Sequence, residues 1–228
     1  MTSPPGGAGS PGRNPWTTGP VAAVLLVLAA LLIVLAWTGG LQAGDTETAA
    51  GLAADRVPGV TVAALVVTEV GNTVGSTVVG LAAGAVLAWR GLRVEGLCVA
   101  AVPVVASGVF TVVKRILNRA RPPEDLQVLA VANESLPSGH ATMAAAAWTA
   151  LVLVTWPHLA ARGRALLTAG AVLWTGAVGF TRVYLGVHWL SDVLAGWALG
   201  AGLAFAGVTV LALVQARTGS PGRPHPIV

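Results

Sequence analysis

Six stretches of this chain, residues 21–37, 73–89, 96–113, 140–156, 165–181 and 193–214, contain no Asp, Glu, Lys or Arg. Each is 17 to 22 residues long. At ~1.5 Å of helix per residue this comes close to the ~30 Å hydrocarbon core of a bilayer. Charged residues make up only 10 % of the 228, and hydrophobic ones 55 %. A soluble domain carries roughly 25 % charge, so there is too little here to coat a water-soluble globule. The apolar surplus must face lipid. The expected fold is all-α, a polytopic membrane protein built as a bundle of six transmembrane helices. Trp37, Trp89 and Trp156 close three of the stretches, where interfacial aromatics belong.

Residues 1–20 and 216–228 are rich in Pro, Gly and Ser. They read as disordered cytoplasmic tails flanking a six-span domain over residues 21–215, and His225 falls in the second tail. The first stretch exceeds the 7 to 15 apolar residues of a signal peptide and reads as an uncleaved anchor. Gly80/Gly84 and Gly196/Gly200 have the small-xxx-small spacing of close helix packing, here within one chain. The single cysteine, Cys98, excludes a disulfide framework and a cysteine zinc site. In its apolar run it reads as an inert buried thiol. The net charge of +4 comes from 13 scattered Lys and Arg. With no dense basic run, nucleic acid is not the expected partner; the bilayer is.

The scarce polar chemistry gathers in three places. Lys114 to Pro122 reads KRILNRARP, Pro137 to His140 reads PSGH, and Thr181 to Asp192 reads TRVYLGVHWLSD. Alternation of six spans puts all three on one membrane face. Lys114, Arg121 and Arg182 then aim three cations at one surface. Ser138, Gly139 and His140 open a helix, whose free N–H groups and dipole favour an anion. Together they suit a dianionic tetrahedral group, and phosphate fits best because arginine offers planar, paired donors. His188 and Asp192, four apart, share a helical face. A carboxylate on Nδ1 fixes the tautomer and leaves Nε2 as nucleophile, while His140 can serve as general acid. Arg115 and Arg119 read as snorkelling side chains or lipid-headgroup contacts. No clustered set of metal ligands accompanies His188 and Asp192, so neither metal nor cofactor is expected.

These motifs, Lys114 with Arg121-Pro122, then Pro137-Ser138-Gly139-His140, then Arg182 with His188 and Asp192, resemble the type 2 phosphatidic acid phosphatase superfamily. The third motif usually carries Ser before its Arg, and here Thr181 stands there. The resemblance, over roughly residues 60 to 215, implies a six-helix membrane enzyme that removes phosphate from lipid phosphates without metal. By motif position it implies His188 as nucleophile, Asp192 as its orienting partner and His140 as general acid and then base. Lys114, Arg121, Ser138, Gly139 and Arg182 would hold the phosphate. Vanadate-dependent haloperoxidases share the pocket motifs, but six spans argue against them. A phosphotransferase with the same first step and a non-catalytic lipid-phosphate-binding protein remain as alternatives.

With a cytoplasmic amino terminus, seven Lys and Arg lie inside and six outside. Setting aside Lys114, Arg121 and Arg182 as phosphate ligands leaves seven against three. That restores the positive-inside bias and predicts a cell-membrane protein whose site faces away from the cytoplasm. Which lipid phosphate it takes, and its oligomeric state, are not encoded in these motifs.

Overall fold

The computed structural model describes residues 14–218. It holds α1 (Pro15–Trp37), α2 (Gln42–Ala54), α3 (Pro58–Val70), α4 (Thr73–Trp89), α5 (Arg93–Leu117), α6 (Gly139–Thr155), α7 (Ala161–Tyr184) and α8 (Leu190–Thr218). Single 3₁₀ turns occur at Glu124–Leu126 and Trp156–His158. No strand occurs among the described residues. The six apolar stretches are α1 and α4 to α8; α2 and α3 fill the segment between the first two. Helices α1, α5, α7 and α8 are each long and apolar enough to cross a membrane, and α3 with α4 forms a fifth such unit, bent by 50° at its break. Helix α6 has 17 residues, most of them buried, and threads the middle of the bundle.

Two boundaries differ from the sequence reading. Residues 15–20, expected in a disordered tail, are the first turns of α1. Asn14 caps them by accepting from the Trp16 N–H at 3.0 Å, and Pro15 at the first helical position needs no N–H partner there. Thr18 accepts a hydrogen bond from Thr209 of α8 at 2.8 Å, so packing carries the helix below Val21. At the other end α8 runs through Thr218, past the expected tail boundary at 216. His225 and the remaining tail residues lie outside the described residues.

Glycines set how closely the helices approach. A Cβ on Gly80 would sit 2.6 Å from Pro103 Cγ, and one on Gly84 2.5 Å from the Gly96 carbonyl, which locks α4 against α5. A Cβ on Gly196 would sit 2.8 Å from the Ser138 carbonyl, and Gly200 faces the Thr142 carbonyl, which locks α8 against α6. The expected intramolecular use of both glycine pairs holds. Phe110, Met143, Ala146, Ala150 and Leu199 form the main core where α5, α6 and α8 meet. Cys98 is half-buried beside it rather than enclosed. Trp37 and Trp89 are exposed at helix ends, at 56 % and 85 %.

Helices α1, α5 and α7 end where α6 and α8 begin. The Trp37 indole donates to the Leu117 carbonyl at 3.1 Å, tying the ends of α1 and α5. Across this end lies α2, burying Asp45 and Ala49, with Leu52 packed against α7 and α8 residues. The α2–α3 link is pinned by Arg56, which donates to the carbonyls of Tyr184 at 2.9 Å and Leu126 at 2.6 Å.

Candidate active site

The three polar clusters meet at this end of the bundle. The α7–α8 turn folds back on the last turn of α7, with the His188 N–H donating to the Arg182 carbonyl at 3.2 Å. His188 is buried, at 2 % exposure. Its Nδ1 lies 3.3 Å from Asp192 Oδ2, and its Nε2 lies 3.2 Å from an Arg121 guanidinium nitrogen. Arginine can only donate. Nε2 is therefore the acceptor, and the ring proton sits on Nδ1 facing the carboxylate. This is the tautomer that leaves a lone pair on Nε2.

Asp192 is at the third position of α8, where it accepts from the Trp189 N–H at 3.0 Å. This is the acidic half of a capping box, and the helix dipole favours a carboxylate there. Its Oδ2 also accepts from the Ser135 hydroxyl, and its Oδ1 from Arg119 at 2.6 Å.

The predicted cations ring the same space. Lys114, buried on the last turn of α5, donates to the carbonyls of Glu134 at 2.5 Å and Ser135 at 3.2 Å. Arg121 donates to the carbonyls of Val187, Asn133 (2.6 Å) and Glu134 (3.2 Å), and to Asn133 Oδ1 at 2.6 Å. Burial holds its pKa down to about 10, with the Asp192 and Glu134 carboxylates opposing, so it stays charged at neutral pH. Burial also pushes the His188 imidazole well below its usual value, reinforced by the positive charges of Arg121, Lys114 and Arg182 and by His140. Arg182, on the last turn of α7, donates to the Thr68 hydroxyl of α3 at 2.6 Å.

Ser138 caps α6, and its N–H donates to the Asp192 carbonyl at 3.0 Å, joining the α6 and α8 helix starts. Its hydroxyl and the Arg182 Nε are both buried without a hydrogen-bond partner. Two unmet polar groups next to three cations and a helix N-terminus are suited to an anion that is not part of the chain. Gly139 lies under the Phe110 ring, where a Cβ would come within 3.0 Å of Cε2. His140, half-buried, follows it into α6. The Thr181 hydroxyl donates to the Val178 carbonyl at 2.7 Å within its own helix. Among the described residues, no group of three or more His, Cys, Asp or Glu side chains is placed to hold a metal ion.

Several partners escaped the sequence reading. Arg119 is buried and lies between two carboxylates, Asp45 at 2.8 Å and Asp192 at 2.6 Å, so it is neither a snorkelling side chain nor a headgroup contact. The reason is the end of α5: Asn118 takes a left-handed conformation at φ 45° and turns the chain inward. Ser135, Ser191 and Thr68 also touch the site. Their hydroxyls carried no signal, because their partners lie far away in sequence.

Comparison with known proteins agrees with this architecture. The chain is 36 % identical over 78 residues to an undecaprenyl-diphosphatase of Sulfolobus acidocaldarius, 33 % of each chain. It is 37 % identical over 126 residues to a lipid A 1-phosphatase of Rhizobium johnstonii, 51 % of this chain and 46 % of that one. With phosphatidylglycerophosphatase B of Bacillus subtilis it shares 33 % over 93 residues, 39 % and 44 % of the two chains. The matches thus span a third to about half the length of these relatives. The crystal structure of a transmembrane PAP2 type phosphatidylglycerolphosphate phosphatase from Bacillus subtilis superposes with a TM-score of 0.73 at 23 % identity, covering 90 % of this chain and 98 % of that one. It shares the fold. The sequence profile of the PAP2 superfamily matches residues 95–216, α5 through nearly all of α8 and more than half of the chain. The chain belongs to the PAP2 superfamily.

Proposed function

We propose that this protein is an integral membrane phosphatase that hydrolyses a lipid phosphate or diphosphate through a phosphohistidine on His188, without metal. One observation carries the reading. The acceptor nitrogen of His188 meets Arg121, Lys114 and Arg182 bear on the same ring, and the buried Ser138 hydroxyl and Arg182 Nε lack partners; together these groups outline the proposed phosphate pocket. The substrate enters from the lipid with its head in this pocket. Nε2 attacks phosphorus, the bond to the lipid oxygen breaks, and His140 gives that oxygen its proton. His140 then takes a proton from water, whose oxygen attacks phosphorus and returns the electron pair to Nε2. Asp192 balances the charge on the ring while the phosphoryl group is attached. Lys114, Arg121 and Arg182, with Ser138 and the Gly139 N–H, hold the phosphoryl oxygens, and such donors act most strongly away from water.

The relatives act, by their names, on undecaprenyl diphosphate, lipid A and phosphatidylglycerophosphate. All three present a phosphate head on an apolar body, and that is the substrate class inferred here. The test is phosphate release by the purified protein from undecaprenyl diphosphate, phosphatidic acid, phosphatidylglycerol phosphate and lipid A, with and without chelator. Release from at least one, unchanged by chelator and lost in His188→Ala, is the expected result. Activity surviving in His188→Ala, or stopping with chelator, overturns the mechanism. Loss of lipid phosphate without release of inorganic phosphate would mark a phosphotransferase instead.

A further inference from the structure

Asp192 has a second neighbour besides His188. The Arg119 guanidinium donates one arm to Asp192 Oδ1 at 2.6 Å and the other to Asp45 Oδ2 at 2.8 Å. Asp45, on α2, also accepts from the Ser191 N–H at 2.9 Å and the Ser191 hydroxyl at 2.5 Å. Ser191 in turn accepts from Arg119 at 2.9 Å. All four side chains are buried: Asp45 at 3 %, Arg119 at 9 %, Ser191 at 2 % and Asp192 at 0 % exposure. The Arg119 guanidinium also lies 5.9 Å from the centre of the Trp189 ring. Asp45 and Ser191 are not among the residues assigned to the phosphate; they reach His188 through Arg119 and Asp192.

The charge count gives the cluster a purpose. An arginine resting alone on Asp192 would neutralise the carboxylate that His188 needs when its ring becomes cationic. A second carboxylate on the far arm returns the Asp45–Arg119–Asp192 group to a net charge of minus one. It also fixes the guanidinium, and through it the Asp192 rotamer, from a helix outside the matched family region of residues 95–216. We propose that Asp45 is a positioning residue for the reaction: through Arg119 it holds Asp192 in place and leaves the carboxylate group beside His188 the net negative charge that supports the phosphorylated ring. The inference rests on the role assigned above to His188.

Asp45→Asn is nearly isosteric but offers one acceptor oxygen where the carboxylate serves both Ser191 and Arg119. In single-turnover hydrolysis of dioctanoyl phosphatidic acid with enzyme in excess, its rate constant should fall on the order of tenfold or more, as for loss of a nearby buried charge, with KM within about twofold of wild type. A purely structural role would reduce the active fraction and leave the saturated rate constant alone. Asp45→Glu, which keeps the charge, should recover part of the rate. Glu47→Gln, which removes an exposed carboxylate from the same helix, should match wild type. Arg119→Lys, with one point charge for two carboxylates, supplies an independent arm if Asp45→Asn does not fold, and should slow the same step. A wild-type rate constant in Asp45→Asn, or in Arg119→Lys where the first is not recovered, overturns this inference and leaves the parent reading standing. Hydrolysis persisting in His188→Ala, or none by wild type, overturns both.

Discussion

The proposed mechanism needs His188 neutral for attack and cationic once phosphorylated, and the folded site favours the first state. It is enclosed by Lys114 of α5, Arg121 of the following loop, His140 of α6 and Arg182 of α7, with Asp192 opposing them. Burial and those cations hold the ring neutral, and a bound dianion would lift that bias as it enters. The same shift has a stability consequence. Below the unfolded value of ~6.5 the unfolded chain takes up a proton that folded His188 refuses, so stability falls as pH drops through that range. Relative to His188→Gln, wild type should lose up to ~1.4 kcal/mol more per pH unit below ~6.5. Thermal melts of both proteins in detergent between pH 7.5 and 5 check this; parallel declines would contradict it. At this scale the His188–Asp192 pairing was legible from the four-residue spacing, although the two do not share a helix: His188 lies in the α7–α8 turn and only Asp192 is on α8. Arg119 was not. Were α5 to continue, Arg119 would sit about 140° around the helix from Lys114, facing away. The left-handed Asn118 reverses that, and a single side chain's backbone conformation is not written in the spacing of charges.

At the scale of elements, the site is a junction of helix ends, and the glycine contacts set its tolerances. Ser138 connects the starts of α6 and α8 through its N–H to the Asp192 carbonyl, and Gly196 passes just beneath. Gly196→Val would push against the Ser138 carbonyl and separate the start of α6 from the start of α8, the two helix starts that carry Ser138 and Asp192 of the proposed site. Both kcat and the melting temperature should fall, kcat by at least tenfold, since a displacement of about 1 Å at reacting groups can cost ~100-fold. Gly170→Ala, at a helical glycine of α7 with no atom within 4 Å of an added Cβ, serves as the control. Steady-state assays with melts separate the two; an active, stable Gly196→Val would show that α6 and α8 need not approach so closely. The six apolar stretches were plain in the sequence because hydrocarbon thickness dictates their length. Helices α2 and α3, 13 residues each, were not, because they are too short to span and their mixed composition fits a loop equally well. Their burial comes from α7 and α8, which local periodicity does not reveal.

At the scale of the whole molecule, the cations of the described residues divide by what they touch. At the site end, Lys114, Arg119, Arg121, Arg182 and Arg56 all bind groups of the protein, and Arg115 stands exposed. At the opposite end Arg90, Arg93, Arg162 and Arg217 are exposed. Only the exposed ones are available to an anionic leaflet, so the side carrying four of them is proposed as the cytoplasmic one. A phosphatase reporter fused to the carboxyl terminus should then be inactive and a cytoplasmic fluorescent reporter bright. The reverse pattern would turn the bundle over and put the pocket in the cytoplasm.

The proposed phosphate donors Lys114 and Arg121 also serve the chain itself. Lys114 and Arg121 spend their hydrogens on the carbonyls of residues 133, 134, 135 and 187, which makes the chain a competitor for its own ligand. Binding is then an exchange with a threshold. We expect chloride or a carboxylate to bring too little charge to draw these side chains off several carbonyls at once, and a phosphate dianion, meeting Arg182 and Ser138 in the same step, to bring enough. Selectivity against abundant small anions would come from what the site must give up, as much as from what it gains.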